Sequence, residues 1–197
     1  MKRNLLASIC FLFASSAFPS ATRAQAPVFD FAPVESSIKF DVEASVAIKG
    51  NFDKWDASLT FKSPELSTAV LDIKIQAATV DTGSGMKNGK LKSDDFFDVK
   101  NNPLITFHSE KAVQTGPNTI VFDGDFTIRG VTKQEKLTFV IPTERTGVGT
   151  ISGRMAFDRK QYGMNSGIPF IKIADRVEVT VDLKGKRVSG PPVNLKQ

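Results

Sequence analysis

Along most of the chain beyond residue 35, apolar and polar positions alternate with a period of two. Ile38, Phe40, Val42 and Ala44 interleave with Ser37, Lys39, Asp41 and Glu43. The same alternation carries Ala57, Leu59 and Phe61, then Leu71, Ile73 and Ile75, then Ile105 and Phe107 after Pro103. It returns in Ile120, Phe122, Phe126 and Ile128, in Leu137, Phe139 and Ile141, in Ile151, Met155 and Phe157, and in Val177, Val179, Val181 and Leu183. This period puts one face of each segment in a core and the other in water, which predicts half-buried antiparallel strands. Val46 to Phe52 continues the pattern through Gly50. Gly83-Ser84-Gly85, Asn101-Asn102-Pro103, Gly116-Pro117-Asn118, Arg129-Gly130, Thr146-Gly147 and Asn165-Ser166-Gly167 supply the turns. About eight strands result. The best helical pattern is Met86 to Phe97, where Met86, Leu91 and Phe96-Phe97 predict one short helix packed across an end of the sheet.

Strands with one apolar face close on that face, as an up-and-down barrel or as two packed sheets. An eight-stranded barrel either fills its interior with side chains or holds one small ligand. Phe40, Phe61, Phe107, Phe122, Phe126, Phe139 and Phe157 all fall on the apolar parity. Rings on so many strands suit the wall of a long slot, and a solid phenylalanine core accounts for the same parity. An outer-membrane barrel needs girdles of Trp and Tyr, whereas this chain has only Trp55 and Tyr162.

The N-terminal segment breaks the pattern. Met1-Lys2-Arg3 is basic, Leu5 to Phe18 is apolar and uncharged, and Ala21-Thr22-Arg23-Ala24 offers small residues at −3 and −1. These are the parts of a cleavable secretory signal, cut after Ala24. Its apolar run is shorter than the ~20 residues of a membrane span. The expected organisation is a signal peptide over 1–24, one β-barrel domain over 25–189 and a frayed tail over 190–197. Composition changes meaning accordingly. The 197-residue chain carries +5, but cleavage removes three bases (Lys2, Arg3 and Arg23) and no acid, leaving +2. The only cysteine, Cys10, leaves as well, so no disulfide supports the fold. Basic residues alternate with acids along the strands, which describes a solvated exterior rather than a nucleic-acid stripe.

Candidate chemistry is sparse. His108, the only imidazole, follows Phe107 and points away from the apolar face, so neither a Ser-His-Asp nor a Cys-His arrangement can be built on the cavity side. Asp94, Asp95 and Asp98 lack the ligand alternation of a calcium loop. With Ser93 they read as the capped, acidic start of a helical turn. No catalytic residue, metal site or cofactor is expected.

Specific residues go further than periodicity. Ala78-Thr79-Val80-Asp81-Thr82-Gly83 precedes Leu91-Lys92-Ser93-Asp94-Asp95-Phe96-Phe97-Asp98-Val99. Asn102-Pro103-Leu104-Ile105-Thr106-Phe107-His108-Ser109, Gly124-Asp125-Phe126-Thr127-Ile128-Arg129-Gly130-Val131-Thr132-Lys133 and Phe157-Asp158-Arg159-Lys160-Gln161-Tyr162-Gly163-Met164 follow in order. From about Phe31 to Arg187 the chain resembles the YceI-like family of lipid- or polyisoprenoid-binding proteins. That resemblance implies an all-β, extended eight-stranded antiparallel barrel of lipocalin-like shape. It also implies a long apolar tunnel for an isoprenoid chain, a prenylated quinone or another amphiphile, and an exported periplasmic protein without catalytic activity. The family usually has a basic residue, an acidic or amide residue and a histidine ahead of the leucine of its Asp-Phe-Phe block; here Met86-Lys87-Asn88-Gly89-Lys90-Leu91 keeps a base and an amide, with Gly89 read at the histidine's place.

The expectation is therefore a periplasmic carrier or sequestering protein, not membrane-spanning once mature and able to form a homodimer. Phe40, Trp55, Phe61, Ile73, Ile75, Phe107, Phe122, Phe126, Phe139, Met155 and Phe157 are expected to line its tunnel, with Lys87 and Asn88 near a mouth. The alternative is a ligand-free interaction module with a solid barrel. An isoprenoid-modifying enzyme is a weaker third reading, since it needs an ionisable group inside the tunnel.

Overall fold

The computed structural model describes residues 25–45, 48–142, 147–167 and 172–196. The leader expected over 1–24, and Val46 at the start of the 46–52 segment, lie outside the described residues.

The strands are β1 (Val28–Phe31), β2 (Ser37–Ala44), β3 (Ile48–Phe52), β4 (Trp55–Thr60), β5 (Val70–Gln76) and β6 (Val80–Asp81). After helix α1 (Gly85–Lys92) come β7 (Leu104–Gly116), β8 (Thr119–Ile128), β9 (Val131–Val140), β10 (Val148–Asp158) and β11 (Ile173–Ser189). All form one antiparallel sheet in the order β4-β5-β7-β8-β9-β10-β11-β2-β3-β6, with β1 also on β11. The sheet curls around one apolar core. The all-β antiparallel class with a single α-helix among the described residues agrees with the alternation, but those residues form eleven strands, not eight.

Two features raise the count. β11 is 17 residues long, so β2 pairs along its first part and β1 along its last, Val28 opposite Ser189 and Phe31 opposite Gly185. A single long apolar run thus hides two partners. The chain also turns a corner at Asp53-Lys54, which sends β3 to β2 and β4 to β5. The corner is tied by Asp53 N–H to the Thr79 carbonyl (3.3 Å) and Gln76 N–H to the Lys54 carbonyl (2.9 Å). Below it, no ladder joins β4 to β1 among the described residues, so the barrel has an open seam.

Inward parity is followed closely. In β8, Ile120, Phe122, Gly124, Phe126 and Ile128 are buried. Gly124 is required there by a bulge: Ser109 and Glu110 lie between the paired His108 and Lys111. A Cβ on Gly124 would sit 2.3 Å from the His108 carbonyl oxygen and 2.7 Å from Ser109 Cβ. Ser109 is itself buried, its hydroxyl donating to the Asp123 carbonyl at 2.8 Å. Gly124→Ala is expected to destabilise by about 1–3 kcal/mol, read as a fall of several degrees in Tm by differential scanning calorimetry.

The helix begins earlier than its pattern suggests. Ser84 caps it, its hydroxyl accepting from Lys87 N–H at 3.5 Å, and Lys90 and Lys92 occupy the last turn, where cations suit the dipole. Ser93 is therefore the C-cap, a correction to its reading as the start of a helical turn. Two glycines weaken α1's pattern, and Phe96 and Phe97 lie in the turn beyond it, both buried.

The tail, expected to fray, is held. Asn194 N–H donates to the Pro64 carbonyl (2.8 Å), and Gln114 exchanges two hydrogen bonds with the Lys196 backbone (2.8 and 2.7 Å). Val193 and Leu195 pack against the core. The spacing of these two residues is the strand-like signal that the Gly-Pro-Pro composition obscured.

Candidate ligand-binding site

Among the described residues, two apolar chambers lie on the inner side of the barrel. The lower, about 190 Å³, is lined by Phe29, Phe31, Leu59, Phe61, Leu66, Ile120, Phe122, Phe139, Ile141, Ile151 and Leu183. Val193 and Leu195 of the tail and the Gly147–Gly149 segment also line it. Among the described residues Arg187 is its only charged lining residue, with Nη1 donating to the Gly190 carbonyl at 2.5 Å. The upper chamber, about 70 Å³, is lined by Phe40, Phe52, Ile75, Leu91, Phe96, Phe97, Phe126, Phe157, neighbouring aliphatic residues and Arg159.

A belt of packed side chains separates the two. On β11, Val177 and Val179 face the upper chamber and Leu183 the lower, with Val181 between them. On β10, Phe157 is above and Ile151 below, with Met155 and Gly153 between. Leu71, Ile73, Phe107 and Leu137 line neither chamber and are at most 4% exposed. The parity of the phenylalanines, which fits both a slot and a solid core, thus describes both: chambers at the ends and a core at the waist. The continuous tunnel implied by the family resemblance is divided here.

The expected lining residues separate accordingly. Phe61, Phe122 and Phe139 line the lower chamber; Phe40, Ile75, Phe126 and Phe157 line the upper. Ile73, Phe107 and Met155 belong to the belt. Trp55 lies in an outer cleft between β1 and β4 rather than in either chamber. Lys87 and Asn88 line neither. Asn88 is spent on structure: its amide donates to Asp81 Oδ1 (3.0 Å) and accepts from Thr82 N–H (2.8 Å). A Cβ at Gly89 meets nothing within 4 Å, so a histidine at that position would have open space around it. Phe29 and Phe31 were legible from their spacing of two, but the run they begin is only four residues long.

A tyrosine wedge packs against Phe126 and Phe157 of the upper chamber's wall. β9 and β10 pair only where Val140, Phe139 and Thr138 oppose Ser152, Gly153 and Arg154, and then diverge. The 3-10 turn Arg159–Tyr162 fills the gap. Tyr162 is fully buried, packs edge-on against Phe126 (5.5 Å) and Phe157 (5.2 Å), and donates its hydroxyl to Glu135 Oε1 at 2.8 Å. Burial, then the Glu135 hydrogen bond, raises the tyrosine pKa well above its ordinary value. Glu135 shares the inward parity of Leu137 and Phe139, an ionisable residue on the core face that the alternation did not single out. Arg159, buried beside the wedge, donates to the carbonyls of Ala174, Met164 and Ser166 and to Asp175 Oδ1 (3.1 Å). Its donors hold the loop and are not free for a ligand.

The acidic residues do not converge on a cation. Asp95 pairs with Lys90 and accepts from the Ser166 hydroxyl, with its pKa lowered by the same two contacts. Asp98 accepts from the side chains of Asn101 and Asn102. His108 is on the outer face as expected, with Nδ1 2.8 Å from Asp72 Oδ1. That hydrogen bond raises its pKa, so the pair stabilises the fold below the ordinary histidine pKa, a contribution lost as pH rises through the raised value. As the only histidine, His108 should show one NMR titration with a midpoint above the ordinary ~6.5; Asp72→Asn should lower that midpoint.

Comparison with known proteins agrees with this architecture. A UPF0312 protein of Shewanella denitrificans is 30% identical over 135 residues, covering 68% of this chain and 70% of that protein. A UPF0312 protein of Vibrio cholerae is 28% identical over 151 residues, covering 76% and 77%. Among solved structures, Burkholderia cenocepacia BcnA superposes with a TM-score of 0.71 at 22% identity, over 79% of this chain and 99% of that one. A polyisoprenoid binding domain from Saccharophagus degradans does so at 0.56 and 14% identity, over 82% and 99%. At these identities the structural likenesses establish the fold. The model of the YceI-like domain matches residues 29–185, from the β1 phenylalanine that walls the lower chamber to the glycine beneath Phe31, and the chain belongs to that family.

Proposed function

We propose that this protein is an exported binding protein that shields the apolar chain of an amphiphile, without chemical turnover, for transport, storage or sequestration in the periplasm. The carrying observation is the lower chamber: an interior space of about 190 Å³ walled almost entirely by aromatic and aliphatic side chains. Such a space rewards an apolar guest by roughly 0.8 kcal/mol per buried CH₂. It offers few polar groups with which to discriminate head groups. The polyisoprenoid binding domain that shares the fold supports an isoprenoid chain as the guest. Ligand pockets usually span about 300–1,000 Å³, so the chamber as it stands takes a segment of chain. A longer guest requires the belt to part, and the unbranched, adaptable Met155 is its most yielding member.

The packed belt is the one feature that favours a ligand-free, solid barrel. Calorimetric titration of the delipidated protein with farnesol separates the readings. Binding with a negative ΔCp, the mark of apolar burial, is expected; no saturable heat at several temperatures contradicts the proposal. N-terminal sequencing of the exported protein should begin at Gln25.

A further inference from the structure

At the seam the lower chamber is walled by side chains alone. β1 bonds only to β11 and β4 only to β5, and no backbone hydrogen bond joins their facing edges among the described residues. Outside the seam lies a cleft of about 380 Å³. Four side chains, Phe29, Phe31, Leu59 and Phe61, line both this cleft and the chamber, so they form the whole thickness of the wall between them. Across the gap the rings of Phe29 and Phe61 meet at 5.8 Å. At the floor the tail is fastened to Pro64, Glu65 and Gln114 by hydrogen bonds that must break before a guest passes there. Parting the seam displaces two rings and breaks no backbone hydrogen bond.

The outer cleft also has a chemistry. Its lining includes Asp30, Asp56, Ser58, Thr60 and Trp55, and among the described residues no lysine, arginine or histidine lines it. We propose that the ligand enters sideways between β1 and β4, with the Phe29–Phe61 pair as the door, and that its head group stays in the cleft and is an alcohol or an amine rather than an anion. An anionic head there meets two carboxylates, and the lysines opposite them in the ladders, Lys186 across from Asp30 and Lys74 across from Asp56, do not line the cleft; a hydroxyl or ammonium head donates to the carboxylates, and an ammonium also suits the indole face. This rests on the reading of the chamber as an apolar-chain site, and it adds the route and the head-group class.

Trp55, the only tryptophan, stands in the cleft and serves as an energy donor to a bound polyene. The probes are all-trans-retinol and all-trans-retinoic acid, which share a tail and differ in head charge, followed by stopped-flow energy transfer from Trp55. Retinol is expected to bind at least tenfold more tightly than retinoate at neutral pH. In a Cys10→Ser background, F29C/F61C bridged by bismaleimidoethane is expected to take up retinol at least tenfold more slowly than the same variant capped with N-ethylmaleimide. Tighter binding of retinoate would place the head at Arg187 and overturn the head-group assignment. An unchanged association rate in the bridged protein, with binding intact, would overturn the route. Absence of energy transfer from both probes at all concentrations would remove the chamber reading, and this inference with it.

Discussion

Tyr162→Ala is expected to lower the unfolding free energy by about 3–5 kcal/mol, the usual cost of deleting a fully buried aromatic ring. The effect should be near the upper end because the ring does two things. It fills the gap where β9 and β10 separate after only three residue pairs, and its packing on Phe126 and Phe157 joins strands that share no ladder there. Denaturant unfolding followed by circular dichroism measures the loss, and Tm should fall by roughly 10 °C. Tyr162→Phe keeps the ring and removes only the hydroxyl that donates to Glu135, so it should cost about 1 kcal/mol. The same residue sets an alkaline limit. A tyrosine whose folded pKa is raised stabilises fully below its unfolded pKa of ~10, and that stabilisation drains away as pH climbs toward the raised value. Since Tyr162 is the only tyrosine, absorbance at 295 nm should show no phenolate until the protein unfolds. Tyr162→Phe should lose less stability over the same alkaline range.

Ile151→Trp is expected to abolish ligand retention while leaving a folded protein. Ile151 faces the lower chamber opposite Leu183 in the β10–β11 ladder and is only partly buried, so a larger ring there grows into the empty space. The overpacking should cost about 1–3 kcal/mol. Loss of most of the chamber should weaken farnesol binding by a hundredfold or more, about 2.7 kcal/mol, measured by calorimetric titration. The contrasting substitution Phe107→Leu, in the belt rather than the chamber, should reduce stability with much less effect on affinity.

How far the sequence carried this reading depends on what each residue's neighbours are. Phe122, Phe126, Phe139 and Phe157 are on the core side, as period-two alternation requires, because inward parity is a local property of a strand. Which chamber or belt each joins is set by register across β8, β9, β10 and β11, and alternation within one strand carries no register. The strand count failed for the same reason: β11's single run serves β2 and β1 in succession. Trp55 shows the limit at a sheet edge. Its parity points inward, but β4 has a partner on one side only, and its ring borders the cleft left on the other. Glu135 was concealed by charge. An acidic residue on an apolar parity reads as a break in the pattern, yet here it accepts from a buried tyrosine donated by a distant turn. The ordered motifs around Asp81, Phe97, His108, Arg129 and Tyr162 reached the family because they hold specific contacts. Arg129, for instance, donates from Nη1 to the Gly163 carbonyl (2.6 Å) and from Nη2 to the Asp94 carbonyl (2.8 Å), joining three of those blocks.

The central claim is that the lower chamber carries an apolar chain in the working protein. Native mass spectrometry of the protein purified from its own host, compared with Ile151→Trp prepared in parallel, tests it most directly. The account predicts a discrete added mass on the wild-type protein that organic solvent extracts as a chain-bearing amphiphile, and that the variant lacks. A folded wild-type protein whose mass is that of the polypeptide alone, including after incubation with a total lipid extract of the host, would contradict it.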